Sequence, residues 1–468
     1  MRALKMLSLQ KSVLLLALIC SPVAAKEIDF TRYLGDHSFN QSNNVFNNVS
    51  NSVSNNEISF TGTVGKGRLI VSALPNTNVT ISVNGKTIAV MDKLAEGQAE
   101  FNLDLLESNT IRVDVASPPP TAINIRVKQR ANIALNVQAR VHFNTNVSNF
   151  AEAREFYGKL GFVTVSGFPD TNTQAMARAI GVATPTAYDG SKGDHAGGYL
   201  LHGELIGAGG FWGGVIDLIE FTIPRNLEAP YAQVNHLGMA RAAMHTTNIT
   251  ADYKYMQSIG VEFLSAPTQR ADGTQFAIFK DLDGTFYELL EVDGDDTETD
   301  TTHITRLGHV NINVSDLERS NAWYQMFGYE VTETLPPTET AEVAKAMGFE
   351  QPFIIKGNRV THEVDGSVLE LVQWLAPFDP ERAYPAPVNH LGIHRTAYST
   401  TDIEGDVAAL KAQGVEFLSP ITPCCSGDDS SSSIIAFYDP DGTVVELVQQ
   451  PYIFHLLFKV ITWFGKTF

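Results

Sequence analysis

His309, Asn311 and Asn313 fall at alternate positions in the stretch Arg306-Leu-Gly-His309-Val-Asn-Ile-Asn-Val314. Alternate residues of an extended strand share a face. One face therefore carries an imidazole and two amides, and Val310, Ile312 and Val314 carry the other. An imidazole can give a lone pair to a metal, and an amide can orient a polar ligand. His142-Phe-Asn-Thr-Asn146 repeats the pattern. After Asp316 the spacing of Glu318, Arg319, Ala322, Trp323, Tyr324 and Phe327 predicts a helix that ends at Gly328. The apolar face of the strand is expected to pack under that helix, which leaves the polar face turned toward a cavity.

The elements that hold these residues come in copies. Val234-Asn-His-Leu-Gly-Met-Ala-Arg241 matches Val388-Asn-His-Leu-Gly-Ile-His-Arg395 at an offset of 154 residues, and Gly260-Val-Glu-Phe-Leu-Ser matches Gly414-Val-Glu-Phe-Leu-Ser at the same offset. A second pair of segments matches at an offset of 167, from His142 and His309 through Phe156-Tyr157 and Trp323-Tyr324 to Ala177-Arg-Ala-Ile-Gly181 and Ala344-Lys-Ala-Met-Gly348. The order is A–B–A′–B′, two copies of a two-module domain. The expected bounds are 138–293 and 304–450, with the acidic stretch 294–303 between them. Each module reads strand, helix, then about three strands, and the B modules close with Asp-Gly hairpins at Asp283-Gly284 and Asp441-Gly442.

Composition narrows the function. The net charge is −19 and no basic patch occurs, which excludes nucleic acid as a partner, since phosphate contacts need clustered Lys and Arg. Residues 1–25 have the pattern of a secretory signal: Arg2, Lys5 and Lys11, then an apolar core from Val13 to Ile19, then Val23-Ala-Ala25. The mature chain is expected to be periplasmic or secreted. Residues 26–57, rich in Asn and Ser, read as a flexible linker. Residues 58–132 read as a small immunoglobulin-like β-sandwich with a spacer or adhesive role, its clearest signal the hairpin at Asn84-Gly85. The apolar tail 451–468 is too short to span a bilayer and suggests a helix that docks on the protein or touches a membrane surface. Cys424 and Cys425 read equally as a vicinal disulfide or a reduced pair.

The paired βαβββ units, the opening-strand His and the closing Asp-Gly…Glu-Leu strand resemble the vicinal oxygen chelate superfamily of glyoxalases, bleomycin resistance proteins and extradiol dioxygenases. The resemblance implies an α+β fold in which two modules curve one eight-stranded sheet around a cup. It also implies a divalent metal (Fe, Mn, Ni, Zn or Mg) on the first and last strands. Carried over by position, the metal ligands are His309, Glu370 and Glu446 in one copy and His142, Asp217 and Glu288 in the other. Glu370 and Glu446 are then the carboxylates expected to move a proton. The shorter Asp217 implies a poorer metal site in the first copy.

At the position where a B module usually supplies a further ligand, the sequence has Arg241 and Arg395. Arginine offers no lone pair. These two, with Asn311, are the candidate ligand-binding residues, and each arginine is expected to point into its cup toward Glu288 or Glu446. Three outcomes stay open for each copy: a metal site, a metal-free ligand cup, or a structural copy. The functional expectation is a metal-dependent lyase, isomerase or oxygenase acting on a small oxygen-rich molecule, or a non-catalytic protein that binds or sequesters one. His236 and His390 read as loop or capping residues, and the aromatic pairs on the helices read as core. The Gly-rich loop with Tyr188, Asp194 and His195 reads as a surface loop or lid.

Overall fold

The computed structural model describes residues 26–39, 53–54, 57–75, 79–88, 94, 97–115, 123–167, 174–182, 200–208, 214–294, 302–424 and 430–449. The expectations for the leader at 1–25, the loop with Tyr188, Asp194 and His195, and the tail at 451–468 fall outside these residues. Among the described residues no helix is long and apolar enough to cross a membrane. The chain divides into two compact units, Glu27–Ile133 and, for the rest of the described chain, Ala134–Phe468.

The first unit is a two-sheet sandwich. One sheet orders the strands Lys26–Phe39, Ile123–Leu135, Gly65–Ser72 and Gln98–Leu105. The other holds Glu57–Thr61, Ser108–Val115, Val79–Val83 and Lys86–Ile88, with Val53–Ser54 at its edge. Alternate apolar residues of both sheets, among them Leu69, Val71, Ile81, Phe101, Ile111 and Ile125, fill one core. The turn between Val79–Val83 and Lys86–Ile88 has positive φ at Asn84 (50°) and Gly85 (76°), the pairing that matches the twist of a tight hairpin. Residues 26–39 are a strand and not part of a linker. Phe30 and Leu34 are buried there, an apolar signal outweighed in the sequence by the Asn and Ser that follow.

The second unit contains the four modules. Module A runs from strand Val137–Asn146 to strand Ile216–Ile223, and module B from Gly238–Thr246 to Phe286–Glu291. Module A′ runs from Ile304–Asn313 to Val368–Ala376, and module B′ from Gly392–Thr400 to Val444–Gln449. In each module the first strand leads into a helix through a cap: Asn149, Asn248, Asp316 or Asp402, whose side chain accepts a backbone N–H of the first turn.

Consecutive modules do not close a sheet together. Strand Val137–Asn146 of A pairs antiparallel with Gly392–Thr400 of B′, and Gly238–Thr246 of B pairs with Ile304–Asn313 of A′. The results are an eight-stranded A/B′ sheet and a nine-stranded B/A′ sheet. Neighbours in sequence meet instead through their turns. In the Asp-x-Asp-Gly turn of B, Asp281 accepts the N–H groups of Asp283 and Thr285, and also the Tyr157 hydroxyl of A at 3.0 Å. Asp439 and Tyr324 form the same bond, at 3.0 Å, between B′ and A′. Of the helix aromatics expected in the core, Phe156, Tyr157 and Tyr324 are buried and Trp323 is half-buried, and the two tyrosine hydroxyls lock modules together.

Candidate active cups

In the B/A′ cup, Asn311 stands beside Glu370 on parallel strands and beside Arg241 on the antiparallel side. Arg241 in turn neighbours the strand that carries Glu288. His309, Glu370, Glu288 and Arg241 are thereby gathered on one curved surface, all nearly inaccessible to solvent. The grouping of His309 and Glu370 with Glu446 is corrected: Glu446 lies in the A/B′ sheet, and Glu288 takes its place. The cause is the exchange of partners, since the last strand of B pairs with the first strand of B, which borders A′.

Arg241 sits between the two carboxylates. Its Nε donates to Glu288 Oε2 at 3.0 Å and its Nη2 donates to Glu370 Oε1. Each carboxylate has a second arginine: Arg270 Nη2 reaches Glu288 at 2.8 Å, and Arg359 Nε reaches Glu370 at 3.2 Å. Burial alone would raise both acids, but these guanidiniums and His309 outweigh it and hold Glu288 and Glu370 below the ordinary carboxylate range. His309 Nε2 lies 3.5 Å from Glu370 and 3.9 Å from Glu288. Burial depresses its pKa despite the two acids, so the ring is neutral at neutral pH.

The A/B′ cup repeats the plan with fewer charges. Arg395 Nη2 donates to Asp217 at 2.8 Å, and its Nε lies 2.9 Å from Glu446. His142 Nε2 is 3.6 Å from Asp217. Burial pushes Asp217 up to about 6 against the pull of Arg395, and pushes His142 down to about 4. Where Arg359 faces Glu370 across its hairpin, Leu205 faces Asp217. Where Arg270 follows the strand Thr268–Gln269, the disulfide-bonded Cys424 follows Thr422–Pro423.

A divalent metal does not fit either cup as the donors stand. It needs carboxylate oxygens that converge with the imidazole. In both cups a guanidinium occupies the fourth position and is ion-paired with both carboxylates. A metal would have to displace it while meeting its positive charge at close range. Among the described residues, the grouping whose ligand atoms all lie within 4.8 Å of one another is His236, Asp379 and Glu381. That grouping is separate from the expected ligands. Its Glu381 is largely exposed, and His236 Nδ1 is engaged with the carbonyl of Leu237 at 2.8 Å. His236 is also stacked on Tyr231 at 4.1 Å.

Asn311, expected to meet a ligand, instead donates to the backbone carbonyl of Glu370 at 3.3 Å. Asn313 donates to the carbonyls of Val234 and His236, and Asn146 to those of Val388 and His390. The amide face thus fastens one module to the other. Sequence reasoning missed Arg270 and Arg359. Counting both ways from the turn near Asp365-Gly366 would have set Arg359 opposite Glu370.

The model of the Glyoxalase/Bleomycin resistance protein/Dioxygenase superfamily matches residues 140–289 and 306–447. The chain belongs to this superfamily. Among solved structures it is similar to glyoxalase I from Zea mays, with TM-score 0.44, 16% identity and coverage of 67% of this chain and 92% of that one. It is also similar to a glyoxalase family protein from Bacillus cereus, with TM-score 0.28, 18% identity and coverage of 34% and 98%. A mutant of 4-hydroxymandelate synthase from Streptomyces coelicolor matches with TM-score 0.24, 16% identity and coverage of 67% and 93%. The match over both tandem regions agrees with the family and the α+β fold expected from the repeats.

Proposed function

We propose that this superfamily member works without a metal and binds small molecules in cups closed by arginine. The observation that carries the reading is the equivalent placement of Arg241 and Arg395, each ion-paired with both carboxylates that a metal would need. A guanidinium kept at this place in both repeats leaves neither cup an open set of carboxylates for a catalytic metal. The chemistry left to the cup is recognition: guanidinium N–H donors, a neutral imidazole and apolar walls. Export through residues 1–25 belongs to the same proposal and makes the protein a periplasmic or secreted binder.

A metal-dependent lyase, isomerase or oxygenase is the second reading. The A/B′ cup favours it, because both ring nitrogens of buried His142 lack a hydrogen-bond partner among the described residues. Elemental analysis of protein purified without chelators separates the two. Well under one Mn, Fe, Ni or Zn per chain supports the binder. A stoichiometric metal lost on His142→Ala or His309→Ala supports the enzyme.

A further inference from the structure

We propose that the B/A′ cup takes a small monocarboxylate, its head held by Arg241, Arg270 and Arg359 and its carbon skeleton resting on Phe353, Met347 and Trp374. The proposal rests on the metal-free reading above and names the class of ligand for one of the cups.

The floor of this cavity gathers three guanidiniums around two buried carboxylates, Glu288 and Glu370, and Arg359 pairs with Glu333 as well. Arg241 lies deepest, only 2% exposed, and its Nη1 has no hydrogen-bond partner among the described residues. Arg270 Nε is likewise unpartnered, and the guanidinium lies 4.0 Å over the Phe276 ring, which fixes its plane. A buried donor left without an acceptor is costly. An anion brings acceptors to such donors, and a carboxylate matches a guanidinium in bidentate fashion.

The walls and mouth restrict the rest of the ligand. Trp374 already donates its indole N–H to Asn313 Oδ1 at 2.9 Å, so its ring offers only apolar surface. Phe353 packs on it with centroids 5.0 Å apart. Asp272, Glu333 and Glu339 line the mouth. Glu333 is bonded to Arg359, and these acids oppose a second negative charge on the ligand. One carboxylate is therefore favoured over a dianion. The A/B′ cup, with Leu205 and Cys424 at the corresponding positions, lacks this floor.

The test is titration of the full chain in EDTA with propionate and benzoate, read by saturation-transfer NMR and calorimetry, with propionamide, benzamide and phthalate as controls. At least one monocarboxylate binds saturably, and its amide and the dianion bind at least about tenfold more weakly. Arg359→Met and Arg270→Met each weaken binding roughly tenfold. Both variants keep Arg241 paired with the buried acid that loses its other arginine, so they fold, as circular dichroism will register. Arg225→Met, at a surface arginine paired with Glu220, leaves binding unchanged. Equal binding of acid and amide, or equal effects of Arg359→Met and Arg225→Met, overturns the proposal. So does the absence of carboxylate binding with and without added Zn, Ni or Mn, and that result leaves the metal-free reading standing. Binding that appears only with added metal overturns both.

Discussion

The two cups share one plan and differ in three of its side chains, Arg270 against Cys424, Arg359 against Leu205 and Glu370 against Asp217, which makes each a comparison for the other. Both place an imidazole and two carboxylates around an arginine on equivalent strands. In B/A′, Arg270 and Arg359 add a second guanidinium to each acid. In A/B′, Cys424 and Leu205 stand in those places, and among the described residues Arg395 alone serves both Asp217 and Glu446. The titration behaviour follows from this count. With two guanidiniums apiece, Glu288 and Glu370 overcome the penalty of burial and stay below the usual range. With one guanidinium shared, Asp217 does not, and is pushed up to about 6. Opposing charge at close range must exceed desolvation before a buried acid remains ionised at low pH.

The largest expected contrast is in stability. Arg395→Met leaves Asp217 and Glu446 buried without a cation and is expected to cost about 3–5 kcal/mol in urea unfolding near neutral pH. Arg241→Met leaves each acid its other arginine and is expected to cost roughly half as much. Equal costs would erase the distinction between the cups. Acidification should partly rescue Arg395→Met, because Asp217, left without its cation, becomes neutral.

The pH dependence comes next. Asp217 has a folded-state pKa above its unfolded value of 3.8. Its contribution to stability is full below about pH 4 and declines as pH rises through 6, by roughly 2–3 kcal/mol. Glu370 has the opposite sign: its contribution is present above the unfolded value of 4.5 and is lost on acidification. Asp217→Asn should remove a fall in stability between pH 4 and 6, whereas Glu370→Gln should remove a loss on the acid side. Unfolding curves that change in the same direction for both variants would contradict the assignment.

The smallest expected effect is a transfer of character from one cup to the other. Leu205→Arg sets a guanidinium opposite Asp217, as Arg359 is set opposite Glu370. It is expected to bring the Asp217 pKa down toward the ordinary range, as read by carboxylate carbon chemical shifts. An unchanged titration would show that the hairpin register does not control the charge of the cup.

Much of this plan was legible in the chain because it is written locally. Strand alternation places His142, His309, Asp217 and Glu370, the Asp-Gly turns place Glu288 and Glu446, and the repeat offset identifies Arg241 with Arg395. The choice of sheet partner was not legible, and the reason is physical. Asn146 and Asn313 use the same amide bonds to hold the same Val-Asn-His-Leu segment, one at Val388–His390 and the other at Val234–His236. Near-identical edges give near-identical local energies for A with B and for A with B′, so nothing in either segment selects its partner. Long-range contacts decide, such as Tyr157 with Asp281 and Tyr324 with Asp439, which join consecutive modules through their turns. The strand at Lys26–Phe39 was missed for a related reason: its partner strand, Ile123–Leu135, lies far along the sequence.

The account turns on a guanidinium that fills the position of a metal ligand, and zinc calorimetry of the wild type beside Arg395→His tests that most directly. The substitution removes the cation and supplies a fourth donor to His142, Asp217 and Glu446. The wild type is expected to give no saturable zinc heat, and Arg395→His to bind zinc at one site per chain. Stoichiometric zinc binding by the wild type, unchanged in Arg395→His, would contradict the account.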